Sequence, residues 1–160
     1  IGTALLFSRV QRVACYVAND GEMDLTPALA RLWRAGKHVY LPALHGDALW
    51  FLPATPDSPM QRNRFGIPEP AAGADTRVAP FALDLVLMPL VAFDGAGNRL
   101  GMGGGFYDRT FAYLARRRHW RKPRLIGVAY GFQRVPSLPA RPWDVTLEGV
   151  LTERGLERFA

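Results

Sequence analysis

The sequence predicts an α/β protein, a single-domain layered fold with a mainly parallel central sheet flanked by helices. Short apolar runs of strand length recur at residues 12–18, 38–42, 83–89 and 125–130, and segments with helical spacing stand among them at 26–36 and 107–118. Alternation of this kind points to βα units and parallel pairing. Residues 1–160 are read as one domain, because a chain of this size buries roughly two-thirds of the surface its unfolded form exposes.

The first run, RVACYVA, is rich in β-branched and aromatic residues and is followed by the turn-forming Asn19, Asp20 and Gly21. It reads as a strand and loop, entered almost at the start of the chain. Thr26 and Pro27 then open a helix, with Thr26 suited to the N-cap and Pro27 to the first helical position, where no backbone N–H is needed. Leu29, Leu32 and Trp33 give its apolar spacing, and Gly36 is placed to end it. HVYLP at 38–42 is the next strand. Residues 53–79 are rich in Pro, Gly and Asp, and so long a connection without structure of its own is either a functional lid or poorly ordered. LDLVLMP at 83–89 and LIGVAY at 125–130 read as short buried strands. Between them, YDRTFAYLARRR reads as an amphipathic helix with Phe111 and Leu114 on one face. Ligands of parallel sheets bind beyond the carboxyl ends of the strands, so the loops after Tyr16, Met88 and Tyr130 are expected on one rim.

One stretch carries chemistry. In NRLGMGGGFYD, residues 98–108, four glycines fall in five positions and are followed by an aromatic pair and a carboxylate. Gly101, Gly103, Gly104 and Gly105 have no Cβ, so the backbone is free to take positive φ and to turn several N–H groups toward one anion. The helix that follows would aim its own N–H groups and dipole at the same place. The loop matches neither the Walker A pattern nor the Rossmann turn, and a purely structural strand-to-helix turn has the same glycines.

Composition narrows the class. No run approaches the roughly eighteen apolar residues of a membrane helix. The single cysteine, Cys15, excludes an internal disulfide and makes a reducing, cytoplasmic setting the expectation. The 20 basic and 14 acidic residues leave a net charge of +6, concentrated in Arg116, Arg117, Arg118, Arg121 and Arg124. Those arginines fit a solvated face at a helix end, a nucleic-acid surface, or a field that attracts an anionic small substrate. No helix-turn-helix, zinc finger or aromatic RNA-binding signature accompanies them, so nucleic acid is not expected as a partner.

Several blocks occur together in order: Phe65-Gly-Ile-Pro-Glu-Pro70, Phe93-Asp94, Asn98-Arg-Leu-Gly, Gly103-Gly-Gly-Phe-Tyr-Asp108, Ile126-Gly-Val-Ala, Gln133 and Leu138-Pro139. Together they resemble the 5-formyltetrahydrofolate cyclo-ligase family, also called methenyltetrahydrofolate synthetases, and the resemblance covers nearly the whole chain. It implies an ATP- and magnesium-dependent conversion of 5-formyltetrahydrofolate, possibly polyglutamylated, to 5,10-methenyltetrahydrofolate by a monomeric enzyme, with ADP and phosphate released. The formyl oxygen is a poor leaving group, and its phosphorylation gives an imidate that the neighbouring folate amine attacks.

Carried over residue by residue, the family's nucleotide site falls on Arg99, Leu100, Gly101, Met102, Gly103, Gly104, Gly105, Phe106 and Tyr107, with Arg99 and Tyr107 nearest the chemistry. Metal ligands fall on Asp108 and Asp144, two oxygen donors of the kind magnesium takes alongside waters and phosphates. Folate contacts fall on Val17, Glu22 and the 102–106 segment, with Phe65 as a cover for the pterin. Each has a plainer alternative: Asp108 favours a helix start, Asp144 is a turn residue, Glu22 is solvated surface, Phe65 anchors its own loop, and Tyr107 packs. Met102 and Phe106 stand where relatives often carry Tyr or Arg, and Tyr. The chain is also expected to lack the family's N-terminal helical segment, whose Lys and Arg contact ATP. A folate- or nucleotide-binding relative without turnover, and an RNA-binding protein, are the competing functions.

Overall fold

The computed structural model describes residues 2–71, 73, 76–117, 119 and 121–159. Its order is α1 (Gly2–Ser8), β1 (Arg12–Ala14), α2 (Thr26–Arg34), β2 (His38–His45), β3 (Ala48–Ala54), β4 (Met60–Arg62), β5 (Pro68–Pro70), β6 (Leu85–Pro89), β7 (Ala92–Phe93), β8 (Arg99–Leu100), α3 (Phe106–Thr110), β9 (Arg124–Val128), β10 (Gly149–Thr152) and β11 (Gly155–Arg158). Seven strands form one sheet in the order β11-β10-β9-β6-β1-β2-β3. The five central strands are parallel, and only β3 and β11 return antiparallel at the edges. The expected α/β architecture with a mainly parallel sheet is the one observed.

The sheet is covered on both faces, which is why its inner strands read as continuous apolar runs. Along β6 the side chains alternate: Leu85 and Leu87 join Leu6, Leu25 and Leu32 beneath α1 and α2, whereas Val86 and Met88 join Phe51, Phe93, Phe111 and Leu114 on the other face. This is the two-residue period of an extended chain serving two cores. From β1 the chain moves outward to β2 and β3, then crosses back to β6 on the other side of β1. The reversal leaves a crevice beyond the carboxyl ends of β1 and β6.

Several local expectations are corrected. A helix, α1, precedes the first strand and buries Leu6. The first strand pairs only to Ala14, although Cys15 N–H still donates to the Tyr40 carbonyl. Thr26 is not the N-cap of α2. Leu25 occupies that position, and Asp24 Oδ1 accepts both the Thr26 N–H at 2.9 Å and its hydroxyl at 2.7 Å. The carboxylate two residues upstream satisfies the Thr26 N–H, one of the donors at the helix start that has no partner within the helix. Gly36 does end the helix, in the left-handed region at φ 72, with Gly36 N–H bonded to the Trp33 carbonyl and Lys37 N–H to that of Leu32.

The strand expected to stop at Pro42 runs on to His45 and turns at Gly46 into β3. Residues 53–79 are not structureless: β3 extends through Pro53, and β4 and β5 form a hairpin with Phe65 near its tip. Ala72, Ala74 and Asp75 of that segment lie outside the described residues. The amphipathic helix expected over 107–118 is broken into the five-residue α3 and a 3-10 stretch, Ala112–Arg116, and its final Arg118 also lies outside the described residues. Thr110 helps end α3, since its hydroxyl donates to the Phe106 carbonyl at 2.7 Å and accepts the Leu49 N–H at 2.9 Å. Of the basic cluster, Arg124 pairs with Glu148 and Arg117 lies over the rings of Tyr113 and Phe81. No described helix is long and apolar enough to cross a membrane.

Candidate active site

A cavity of about 770 Å³ opens in the crevice beyond β1 and β6. Two of the three expected loops line it, through Tyr16 and Val17 and through Pro89 and Leu90. Tyr130 does not line it; its loop instead braces the rim, with Gln133 Nε2 donating to the Leu90 and Val91 carbonyls at 3.0 Å each. The cavity collects the residues that the resemblance assigns to the site: Val17, Glu22, Phe65, the whole of 99–108, and Asp144. Segments distant in sequence thus face one space.

The glycine loop hangs between β8 and α3. Gly103 at φ 95 and Gly105 at φ 67 use the left-handed region, whereas Gly101 and Gly104 do not. Gly104 is required for another reason: a Cβ there would meet the Phe106 ring at 2.8 Å. Among the described residues, none of the backbone N–H groups of Gly101 to Gly105 donates to a protein acceptor. Amides without a protein partner, in residues that line a concavity, are available to an anion. The expected assistance from a long helix is absent, since α3 has five residues. Arg109, unremarked in the sequence, fixes the loop by donating to the Gly104 carbonyl and the Asp47 carbonyl while lying over the Phe106 ring.

Arg99 Nη2 meets Asp108 Oδ1 at 3.2 Å, with 6% and 18% of the two side chains exposed. The same Asp108 oxygen accepts the Val145 N–H at 3.0 Å. Burial pulls the Arg99 guanidinium below its ordinary value, while Asp108, Tyr107 and Asp144 work to hold the charge. Asp144 Oδ2 accepts the Arg141 N–H at 3.0 Å, but its Oδ1 is buried without a partner among the described residues, as is Arg99 Nε. Such orphaned polar atoms are costly unless a ligand or ion completes them. A hard cation with oxygen ligands fits the donor set of Asp108, Asp144 and phosphate oxygens, with waters filling the remaining positions. Among the described residues no group of three or more His, Cys, Asp or Glu gathers for a metal.

Glu22 also lines the cavity, its Oε2 accepting the Asn19 N–H at 2.9 Å. Burial raises its pKa, and Asp20 adds to the rise while the Asn19 hydrogen bond opposes it. Tyr16 donates to the Met23 carbonyl at 2.7 Å and so shapes the loop that carries Glu22. Burial pushes the Tyr107 hydroxyl up against the opposing pull of Arg99, leaving it protonated and able to donate. Leu100, Met102, Phe65 and Trp143 are exposed around the mouth. Phe65 meets Phe106 edge-to-face at 6.0 Å, and Arg64 lies over both rings. The tip is pinned from below, since Asn63 Oδ1 accepts the N–H groups of Phe65 and Ile67 and the buried Glu69 accepts the Leu44 N–H. Asn63, Glu69, Arg109 and Trp143 give no local signal in the sequence beyond their proximity to the Phe65, Asp108 and Asp144 motifs.

Fold and cavity define a doubly covered, mainly parallel α/β protein with a pocket at a topological switch point, lined by a glycine loop and two carboxylates among its residues. Residues 4–153 match the model of the 5-formyltetrahydrofolate cyclo-ligase family, and the chain belongs to that family. It is 43% identical over 148 residues to the 5-formyltetrahydrofolate cyclo-ligase of Haemophilus influenzae, covering 89% of this chain and 76% of the relative. It is 45% identical over 143 residues to that of Escherichia coli K12, covering 88% and 76%. The 5,10-methenyltetrahydrofolate synthetase of Aquifex aeolicus superposes with a TM-score of 0.75 at 33% identity, over 98% of this chain and 80% of that one. The synthetase of Mycoplasma pneumoniae gives 0.66 at 25% identity, over 92% and 79%.

Proposed function

We propose that the chain converts 5-formyltetrahydrofolate and ATP to 5,10-methenyltetrahydrofolate, ADP and phosphate, with magnesium, in the cavity between Glu22 and the glycine loop. The observation that carries this reading is the row of unpaired amides from Gly101 to Gly105 beside Arg99, Asp108 and Asp144 in one space with Glu22. Phosphoryl transfer asks a protein chiefly for position and charge neutralisation. The loop amides and Arg99 hold the triphosphate, and Asp108 with Asp144 hold magnesium, which when bound neutralises phosphate charge. Glu22 accepts from the amino and ring N–H groups of the pterin, with Val17 beside it, and Phe65 covers the ring. So placed, the formyl oxygen attacks the γ-phosphorus and ADP leaves. The folate N10 then attacks the formyl carbon, phosphate departs with the former formyl oxygen, and the N10 proton is released. Tyr107, protonated in its buried setting, orients the formyl or phosphate oxygen by donating to it.

The test follows the absorbance of the methenyl product when purified protein meets 5-formyltetrahydrofolate, ATP and magnesium. Product that depends on all three and is lost in Asp108→Ala supports the reading. Binding of folate and nucleotide without product overturns catalysis by this chain.

A further inference from the structure

We infer that Arg99 is an internal counter-cation at the metal position, so that a divalent ion and the Arg99 guanidinium compete for Asp108. The inference rests on the reading of Asp108 and Asp144 as metal ligands and goes beyond it. The guanidinium sits on Asp108 at 3.2 Å, almost wholly buried. Among the described residues Arg99 Nε has no partner, and neither does Oδ1 of Asp144, the other carboxylate lining the same cavity. A group placed for its final hydrogen bonds does not leave its Nε–H buried and idle.

The charge arithmetic explains the arrangement. Two carboxylates in one partly dry cavity repel unless cations offset them: Arg99 pairs with Asp108 at 3.2 Å, and the more exposed Arg141 reaches Asp144 at 3.5 Å. When a divalent ion takes Asp108 and Asp144, a guanidinium at 3.2 Å from the same oxygen becomes a neighbouring like charge. Its five donors in a planar fork suit a phosphate oxygen equally well, and the unpaired amides of the glycine loop mark where that phosphate lies. Metal alone must therefore displace Arg99 with nowhere favourable for it to go. Metal with a polyphosphate offers Arg99 a new partner in the same event, which makes the two ligands bind cooperatively and keeps the site from filling with metal alone.

The experiment titrates manganese into the nucleotide-free protein, read by the electron paramagnetic resonance signal of free ion, for the parent, Arg99→Gln and Arg99→Lys. Arg99→Gln is expected to bind manganese alone about tenfold more tightly or better, the effect of removing one buried competing charge. The same variant is expected to bind a non-hydrolysable ATP analogue with manganese more weakly than the parent, so the two affinities move in opposite directions. Arg99→Lys keeps the charge and is expected to stay within about threefold of the parent for metal alone. In the unaltered protein, saturating magnesium without nucleotide is expected to shift the 15N resonance of Arg99 Nε, which keeps the test alive if a variant does not fold. Unchanged or weaker manganese binding in Arg99→Gln, or an unmoved Nε resonance at metal saturation, overturns the exchange. Parent manganese–analogue binding that Asp144→Asn abolishes would leave the metal ligands standing in that event. Binding indifferent to Asp144 would sink both.

Discussion

Arg99 on β8 and Asp108 on α3, nine positions apart, close a buried ion pair at 3.2 Å across the glycine loop they flank. The pair is therefore the clasp of that loop as well as part of its charge. Asp108→Ala removes the partner of Arg99 and the acceptor of the Val145 N–H together. Breaking a pair this buried from one side leaves an uncompensated charge, and the expected loss is about 3 kcal/mol of unfolding free energy together with all measurable cyclisation. Denaturant unfolding checks the first and methenyl absorbance the second. A variant as stable as the parent would show that Asp108 does not hold the loop.

Within the loop, Gly105 is the position that tolerates a side chain least. Its φ is 67, and a Cβ would stand 2.9 Å from Arg109 Nη1, a group already tied to the Gly104 and Asp47 carbonyls. Gly105→Ala is expected to cost about 1–2 kcal/mol in backbone strain and to raise the KM for ATP while leaving that for folate nearly unchanged. Steady-state kinetics with each substrate varied in turn separates the two. Equal increases in both constants would mean that the loop does not serve the nucleotide in particular.

Phe65 is 57% exposed and touches Phe106 only edge-to-face at 6.0 Å. Its truncation costs the folded protein little, because most of the ring is already in water. Phe65→Ala is expected to raise the KM for folate about tenfold, the scale of one aromatic contact, with no shift in thermal midpoint. A lowered midpoint with unchanged KM would make Phe65 an anchor of its own hairpin and nothing more.

What the sequence made legible is contiguous. Arg99, the glycines and Asp108 fall in one short block, and the alternation of apolar runs gave the parallel sheet. What it hid depends on contacts between distant segments or on edge geometry. The expected strand ends at Pro42 and the expected connection begins at Pro53, yet Pro42 lies beyond Tyr40, the last β2 residue in register with β1, and Pro53 lies on the edge strand β3. Neither place demands a ladder N–H on both sides. The spacing of Phe111 and Leu114 serves a 3-10 turn as well as an α-helix, so periodicity alone missed the break at Thr110. Glu69 bonding Leu44, like Arg109 bonding Asp47, joins segments that no local pattern connects.

Glu22 ties folate affinity to pH. Burial, with Asp20, raises its pKa above the ordinary 4.5, so it takes up a proton earlier than a free glutamate as pH falls. The protonated form loses two-fold acceptance from pterin N–H groups. Folate affinity, measured without ATP by intrinsic fluorescence, is expected to fall as pH drops toward this raised value. Glu22→Gln is expected to bind weakly at every pH, without that decline. The same decline in Glu22→Gln would assign the pH dependence to another group.

Asp94 supports Arg99 from outside the cavity. Only 3% exposed, it accepts the N–H groups of Ala96, Asn98 and Leu138 and the Asn98 side-chain amide. It thus closes the turn of the β7–β8 hairpin that presents Arg99 and ties residue 138 to it. Burial alone would raise its pKa, but the four hydrogen bonds outweigh that and hold it below the ordinary 3.8. A carboxylate depressed in the folded state stabilises the fold above its unfolded pKa, and that contribution is lost as pH falls from there through the folded value. The window therefore lies below about pH 4. Asp94→Asn presents an amide donor to a set of donors and is expected to cost about 2 kcal/mol at pH 7. Its unfolding free energy should also decline less steeply than the parent's as pH falls below about 4. Parallel declines in the two proteins would show that Asp94 is not the group whose protonation loosens the hairpin under Arg99.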